Sequence, residues 1–265
     1  MPNHVVLALD GSEKDERALA AAAAIVELTG AELQVVRVGD SRVETSLSAI
    51  VSRLATEVKG PVSWKVLAGD DAAEALVRYA AESRPLMVVM ATRAAGAAGR
   101  TMRGSVADQV MRECASPVML VPPGAAYVAG KHLEFSRVLV PLDGSPLSAR
   151  ALDYVLRLPS AAALEYALLE VVPRDADRPA ALQRLDDVVR RVRATGATDV
   201  DADVGVAREP APVIAAAVRE SLADIIVMSS RGASGVRRLV LGSVAEGVIR
   251  RCEVPVLLLT PASLA

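Results

Sequence analysis

Residues 139–145 read Leu139-Val-Pro-Leu-Asp-Gly-Ser145, a β-type apolar run that stops at an acid and a glycine and gives way to helix-forming residues. Nearly the same words stand earlier as Val6-Leu-Ala-Leu-Asp-Gly-Ser12, and Gly104-Ser-Val-Ala107 returns as Gly242-Ser-Val-Ala245. Asp10 and Asp143 lie 133 positions apart, as do Val38 and Val171. Met90 and Met228 lie 138 apart, as do Cys114 and Cys252. A period of this length is a domain and not a solenoid repeat. The chain therefore reads as a tandem duplication with a net five-residue insertion between Val171 and Met228. Pro122 to Gly130 has linker composition, so we expect domains over residues 1–123 and 137–265, joined by a linker over residues 124–136.

Each copy alternates short apolar runs with helix-period segments. In the first, strands are predicted at Val5–Leu9, Leu33–Val38, Val62–Leu67, Leu86–Met90 and Val118–Val121. Helices are predicted over Ser12–Leu28, about Val43–Lys59, Asp71–Ser83 and Ser105–Cys114. Five strands alternating with four helices demand a mainly parallel sheet covered on both faces, which right-handed crossovers make a doubly wound α/β domain. Ligands of such sheets sit beyond the carboxyl ends of the strands, where the winding reverses. The residues after the first and fourth strands are the ones to inspect.

Composition narrows the partners. The 265 residues are 52% hydrophobic and only 2% aromatic, with a formal charge of −2. Such a chain neither neutralises phosphates nor offers a base-stacking platform, so nucleic acid is not an expected partner. The longest apolar run, Ala18 to Val26, falls short of a membrane span, and no basic leader precedes an apolar stretch. Cys114 and Cys252 form no CxxC pair and read as packing residues in a reducing cytoplasm. His4 and His132 have no metal-ligand spacing. The defining glycines of the P-loop and of the dinucleotide fingerprint are absent.

Two motifs remain. Asp143-Gly-Ser-Pro146 suits a helix start, with Asp143 or Ser145 as cap and Pro146 in the first turn. An acid at a strand's carboxyl end also suits a ribose or an amino group. Gly242-Ser-Val-Ala-Glu246 contains a Ser-x-x-Glu capping box, in which Ser243 would satisfy the helix amides. A glycine before a helix N-terminus equally suits an anion, above all a phosphate. Gly232 and Gly235 would let the intervening loop turn its amides inward.

A strand ending in Asp-Gly-Ser and, after the fourth strand, the spacing Ser229-x2-Gly232-x9-Gly242-Ser243 resemble the ATP-binding branch of the universal stress protein family. Only the first glycine of the family pattern is replaced, by Ser229, and the resemblance covers both copies. It implies that Pro141, Asp143, Val171 and Met228 surround adenine and ribose, while Gly232, Gly242, Ser243 and Val244 hold the phosphates. Mg²⁺ would bridge phosphate oxygens. In the first copy the equivalent site comprises Asp10, Val38, Met90, Ala91, Ala94, Gly104, Ser105 and Val106. Alanines there replace two glycines, and Ala8 stands where the second copy has Pro141. A methyl at Ala94 crowds a phosphate, so the second copy is expected to be the better site.

The resemblance implies an ATP-binding sensor or regulator of a stress response, with slow ATP hydrolysis at most. The competing expectation is a protein-interaction module of the same family with degenerate sites. A dedicated adenylate-using enzyme on a related fold lacks support, because the longer glycine-serine signature that such enzymes place after their first strand is not matched by Asp-Gly-Ser. The last strands, Val118–Val121 and Val256–Leu259, are short, apolar and at the ends of their copies, where edges tend to pair; the resemblance implies that they join the two copies as an internal pseudo-dimer, and it leaves a homodimer of chains open.

Overall fold

The computed structural model describes residues 4–12, 15–92, 105–125, 133–230, 241–260 and 263. The chain divides into two compact units, unit 1 over Met1–Leu133 and unit 2 over Glu134–Pro261.

Unit 1 runs β1 (His4–Ala8), α1 (Asp15–Thr29), β2 (Glu32–Val38), α2 (Glu44–Glu57), β3 (Val62–Leu67), α3 (Ala72–Ser83), β4 (Met87–Ala91), α4 (Ser105–Glu113) and β5 (Val118–Val121). Its sheet has the order β3-β2-β1-β4-β5. Every described pairing in it is parallel: Ala8 lies opposite Val36 on one side and Met90 on the other, and Ala91 opposite Val121. The central strands are apolar along their whole length because both faces are covered. Val5, Leu7, Leu33, Val35 and Met87 are completely buried. Asp71 caps α3, accepting from the amides of Ala73 at 2.8 Å and Glu74 at 3.0 Å. The described part of the first helix runs from Asp15, whose amide donates to the Ser12 carbonyl at 3.0 Å; Glu13 and Lys14 lie outside the described residues.

Unit 2 repeats the plan with β6 (Arg137–Leu142), α5 (Pro146–Leu156), β7 (Glu165–Val172), α6 (Arg178–Arg193), β8 (Val200–Val206), α7 (Pro210–Glu220), β9 (Ile225–Ser229), α8 (Ser243–Arg251) and β10 (Val256–Leu259). The order is β8-β7-β6-β9-β10, again parallel, with Pro141 opposite Leu169 and Met228 opposite Leu258. Alternation along β7 shows the two covered faces. Glu170 meets Arg184 of α6, while Leu169 and Val171 turn to the side of Pro210 and Ile214 in α7. Each unit is thus a doubly wound five-stranded α/β sheet. The winding reverses between β1 and β4 in unit 1 and between β6 and β9 in unit 2. Among the described residues no helix is long and apolar enough to cross a membrane.

Candidate functional site

The reversal between β6 and β9 opens a cleft at the carboxyl ends of the strands. The register sets its walls: Leu139 pairs with Ile226, so Pro141 comes level with Met228, and the pairing of Leu142 with Glu170 brings Asp143 beside Val171. A cavity of ≈ 220 Å³ lies there. Pro141, Asp143, Val171, Met228, Ser229, Gly242, Ser243 and Val244 all line it, so one site gathers residues from four separate segments. Gly232 lies outside the described residues, as do Gly235, Ala94 and Gly104.

Sequence reasoning missed the wall that α7 contributes through Pro210 and Ile214, and the floor at Ser148. Their signal is the helix after β8, whose apolar face must cover the sheet, and the strand-end motifs do not report it. Leu142, Leu169, Ser230 and Ala245 complete the lining, and Asp143 is its one ionisable side chain among the described residues.

The β6–α5 turn resolves the first motif. Ser145 is the cap: its Oγ accepts from the Ser148 amide at 3.2 Å, with Pro146 in the first turn. Asp143 instead accepts from the Ser145 amide at 3.0 Å, closing a tight Asx turn. That turn needs Gly144 at φ +72°, a left-handed conformation costly for other residues. Asp143 stays exposed at the rim, while Ser148 is buried below it and receives the Asp143 amide at 3.4 Å.

The second motif corrects an expectation. Ser243 does not cap α8; it is the first helical residue, and the cap is Gly242, which has no side chain to offer. The reason lies in the backbone. The Gly242 amide donates to the Ser230 carbonyl at 2.8 Å and fixes the chain there in an extended conformation, φ −65° and ψ 146°, so that the helix starts one residue earlier than a Ser243 cap would place it. The expected partner in the box, Glu246, accepts from Arg250 one turn on at 3.0 Å. Gly242 thus offers the first-turn amides of α8 no capping side chain, and Ser243, Val244 and Ala245 of that turn line the cavity. With the dipole of α8 behind them they form a site suited to an anion.

In unit 1 the same register brings Asp10 level with Val38 and leaves Met90 and Ala91 at the end of β4. Ser105 and Val106 open α4, as Ser243 and Val244 open α8. The floor differs. Asp15 occupies the position of Ser148, is buried, and accepts from the amides of Gly11 at 2.8 Å and Asp10 at 3.3 Å. Burial is the largest influence on its carboxyl pKa and raises it, with the Asp10 charge pushing the same way and Arg37 opposing.

The cysteines at the ends of α4 and α8 are buried. Desolvation raises both thiol pKa values, that of Cys252 to about 11, which suits packing and not thiolate chemistry. Among the described residues no three His, Cys, Asp or Glu gather as a metal site.

A model of the universal stress protein family matches residues 47–122 and 134–260. The universal stress protein Rv2005c of Mycobacterium tuberculosis is 27% identical over 180 residues, 64% of this chain and 60% of the relative. The chain thus spans about three fifths of the length of that relative. The universal stress protein YxiE of Bacillus subtilis is 30% identical over 145 residues, 47% of this chain and 98% of its own. Among solved structures, a universal stress protein from Archaeoglobus fulgidus superposes with a TM-score of 0.73 at 25% identity, covering 98% of this chain and 99% of that one.

Proposed function

The chain belongs to the universal stress protein family, and from this premise we propose that unit 2 binds an adenine nucleotide, ATP above all, as a sensor or regulator in a stress response. The observation that carries the reading is the N-terminus of α8, begun by a glycine cap without a side chain, at a cavity of apolar and serine residues at the sheet's switch point. Met228, Val171, Leu169 and Ile214 offer apolar surface to a purine, and Asp143 at the rim suits a ribose hydroxyl. The phosphates then meet the amides of Ser243 and Val244, with Gly242 allowing close approach. Gly232 belongs to the same proposed phosphate loop. Mg²⁺ would be held mainly by the phosphates, since the lining supplies a single carboxylate.

The lining also argues for binding over turnover. Asp143 is the one described lining group able to accept a proton, and its position by the strand end suits sugar recognition. Any hydrolysis is therefore expected to be slow. The site of unit 1 retains Asp10, Val38 and Met90 but carries Ala91, Ala94 and the buried carboxylate of Asp15, so unit 2 is the better site.

Mass spectrometry of the small molecules released when freshly purified protein is denatured tests the reading, alongside calorimetric titration with ATP and Mg²⁺. An adenine nucleotide in the release and saturable heat are expected. Absence of both at millimolar nucleotide would leave the protein-interaction reading in its place.

A further inference from the structure

Resting on the nucleotide reading of unit 2, we infer that Asp15 is a specificity-determining residue that closes the switch-point site of unit 1 to nucleoside polyphosphates. The inference comes from comparing one position in the two units. Asp15 and Ser148 stand the same 133 positions apart as Asp10 and Asp143. They also do the same structural work: the amide of the strand-end acid donates to Asp15 Oδ1 at 3.3 Å in unit 1 and to Ser148 Oγ at 3.4 Å in unit 2. In unit 2 this position is a wall of the cavity that also contains the α8 N-terminus, and it is neutral.

In unit 1 it carries a carboxylate. The exposed acid Asp10 lies beside it, so two negative charges converge where unit 2 presents one. Arg37 packs over Gly11 and opposes this in part; an ideal Cβ on Gly11 would lie 2.5 Å from its guanidinium. Unit 2 has its own cation near Gly144, Arg184, which donates to both oxygens of the buried Glu170. Arg184 is thus engaged by its own acid, while Arg37 offsets Asp15 only weakly. The carboxylate at the floor remains as a difference between the units. Asp15 is only 7% exposed, so water screens its charge poorly, and a phosphate chain entering the cleft would meet it at low effective dielectric. A neutral nucleoside would meet no such repulsion.

The test transfers the charge between units in the full-length chain. ATP and adenosine are titrated calorimetrically into the parent, S148D, S148N and D15S, with circular dichroism reporting the fold of each. The parent binds one ATP per chain. In S148D the preference for ATP over adenosine falls by at least ~10-fold, as expected for a unit charge near the phosphates. In S148N, which matches the added bulk without the charge, that preference is unchanged. In D15S, which installs the floor of unit 2, a second ATP binds per chain, more weakly than the first because the Ala94 methyl still crowds the phosphate. An unaltered preference in S148D, an equal fall in S148N, or D15S holding a single ATP overturns the role of Asp15 while leaving the unit 2 site intact. A parent that binds neither probe overturns the nucleotide reading itself.

Discussion

Burial of Cys252 and Tyr166 couples single side chains to folding in a way that pH can read. The Cys252 thiol is raised from 9.0 to about 11 and the Tyr166 hydroxyl from 10.0 to about 12, in each case by desolvation. Both groups hold their protons longer in the folded chain than in the unfolded one. Their contributions are complete below the unfolded values and are lost as pH rises through the folded ones. Urea midpoints are thus expected to fall between pH 9 and pH 12. Cys252→Ala should remove up to about 3 kcal/mol of that decline, although the cavity it leaves lowers stability at every pH. A pH dependence equal to the parent's would refute the buried-thiol account. The packing role was legible in the sequence, since neither cysteine has a partner at redox spacing. The floor of the first site was not. Asp15 and Ser148 are unremarkable inside helix-forming words, and only the fold shows that each receives a strand-end amide.

The placement of α8 depends on how closely it approaches α7. An ideal Cβ on Gly247 would lie 2.6 Å from the Cβ of Ala211, and one on Gly205 would lie 2.7 Å from a methyl of Val213. These two glycines let α7 settle against both β8 and α8, which brings Pro210 and Ile214 to the cavity. Alanine is favoured over glycine in a free helix by about 1 kcal/mol. Gly247→Ala is nevertheless expected to destabilise unit 2 by about 1–3 kcal/mol through overpacking, and to weaken ATP binding by displacing the start of α8. Chemical denaturation and calorimetry read the two effects, and a stabilised variant with normal binding would contradict them. Helix existence and strand identity were legible because apolar period separates them cleanly. Helix starts were less so. The capping box at Ser243 was outvoted by a long-range bond, Gly242 to Ser230, which no local pattern reports.

At the scale of the whole molecule, duplication made the fold readable: two copies of one alternation support each other, and the strand-end motif marks the same place in both. The order of strands within each sheet was not legible, because parallel pairing joins residues far apart in sequence. The reversal between β6 and β9 nonetheless explains why segments as distant as Asp143 and Ser243 line one cavity. The difference between Asp15 and Ser148, on the proposed reading, assigns nucleotide affinity to unit 2. Residues 134–265 produced alone should retain the parent's ATP affinity, while residues 1–133 alone should show none; the reverse distribution would assign the site to the wrong unit.

The central claim, a nucleotide phosphate seated on the amides at the start of α8, is tested most directly by Gly242→Asp. Its backbone there is ordinary extended chain, and aspartate is a better N-cap than glycine by a few tenths of a kcal/mol. Calorimetric titration with ATP and Mg²⁺, paired with thermal melting, should show unit 2 equally or more stable and its ATP affinity reduced at least ~10-fold, because the new carboxylate takes the place of the phosphate. Unchanged ATP affinity in the folded variant would contradict the account.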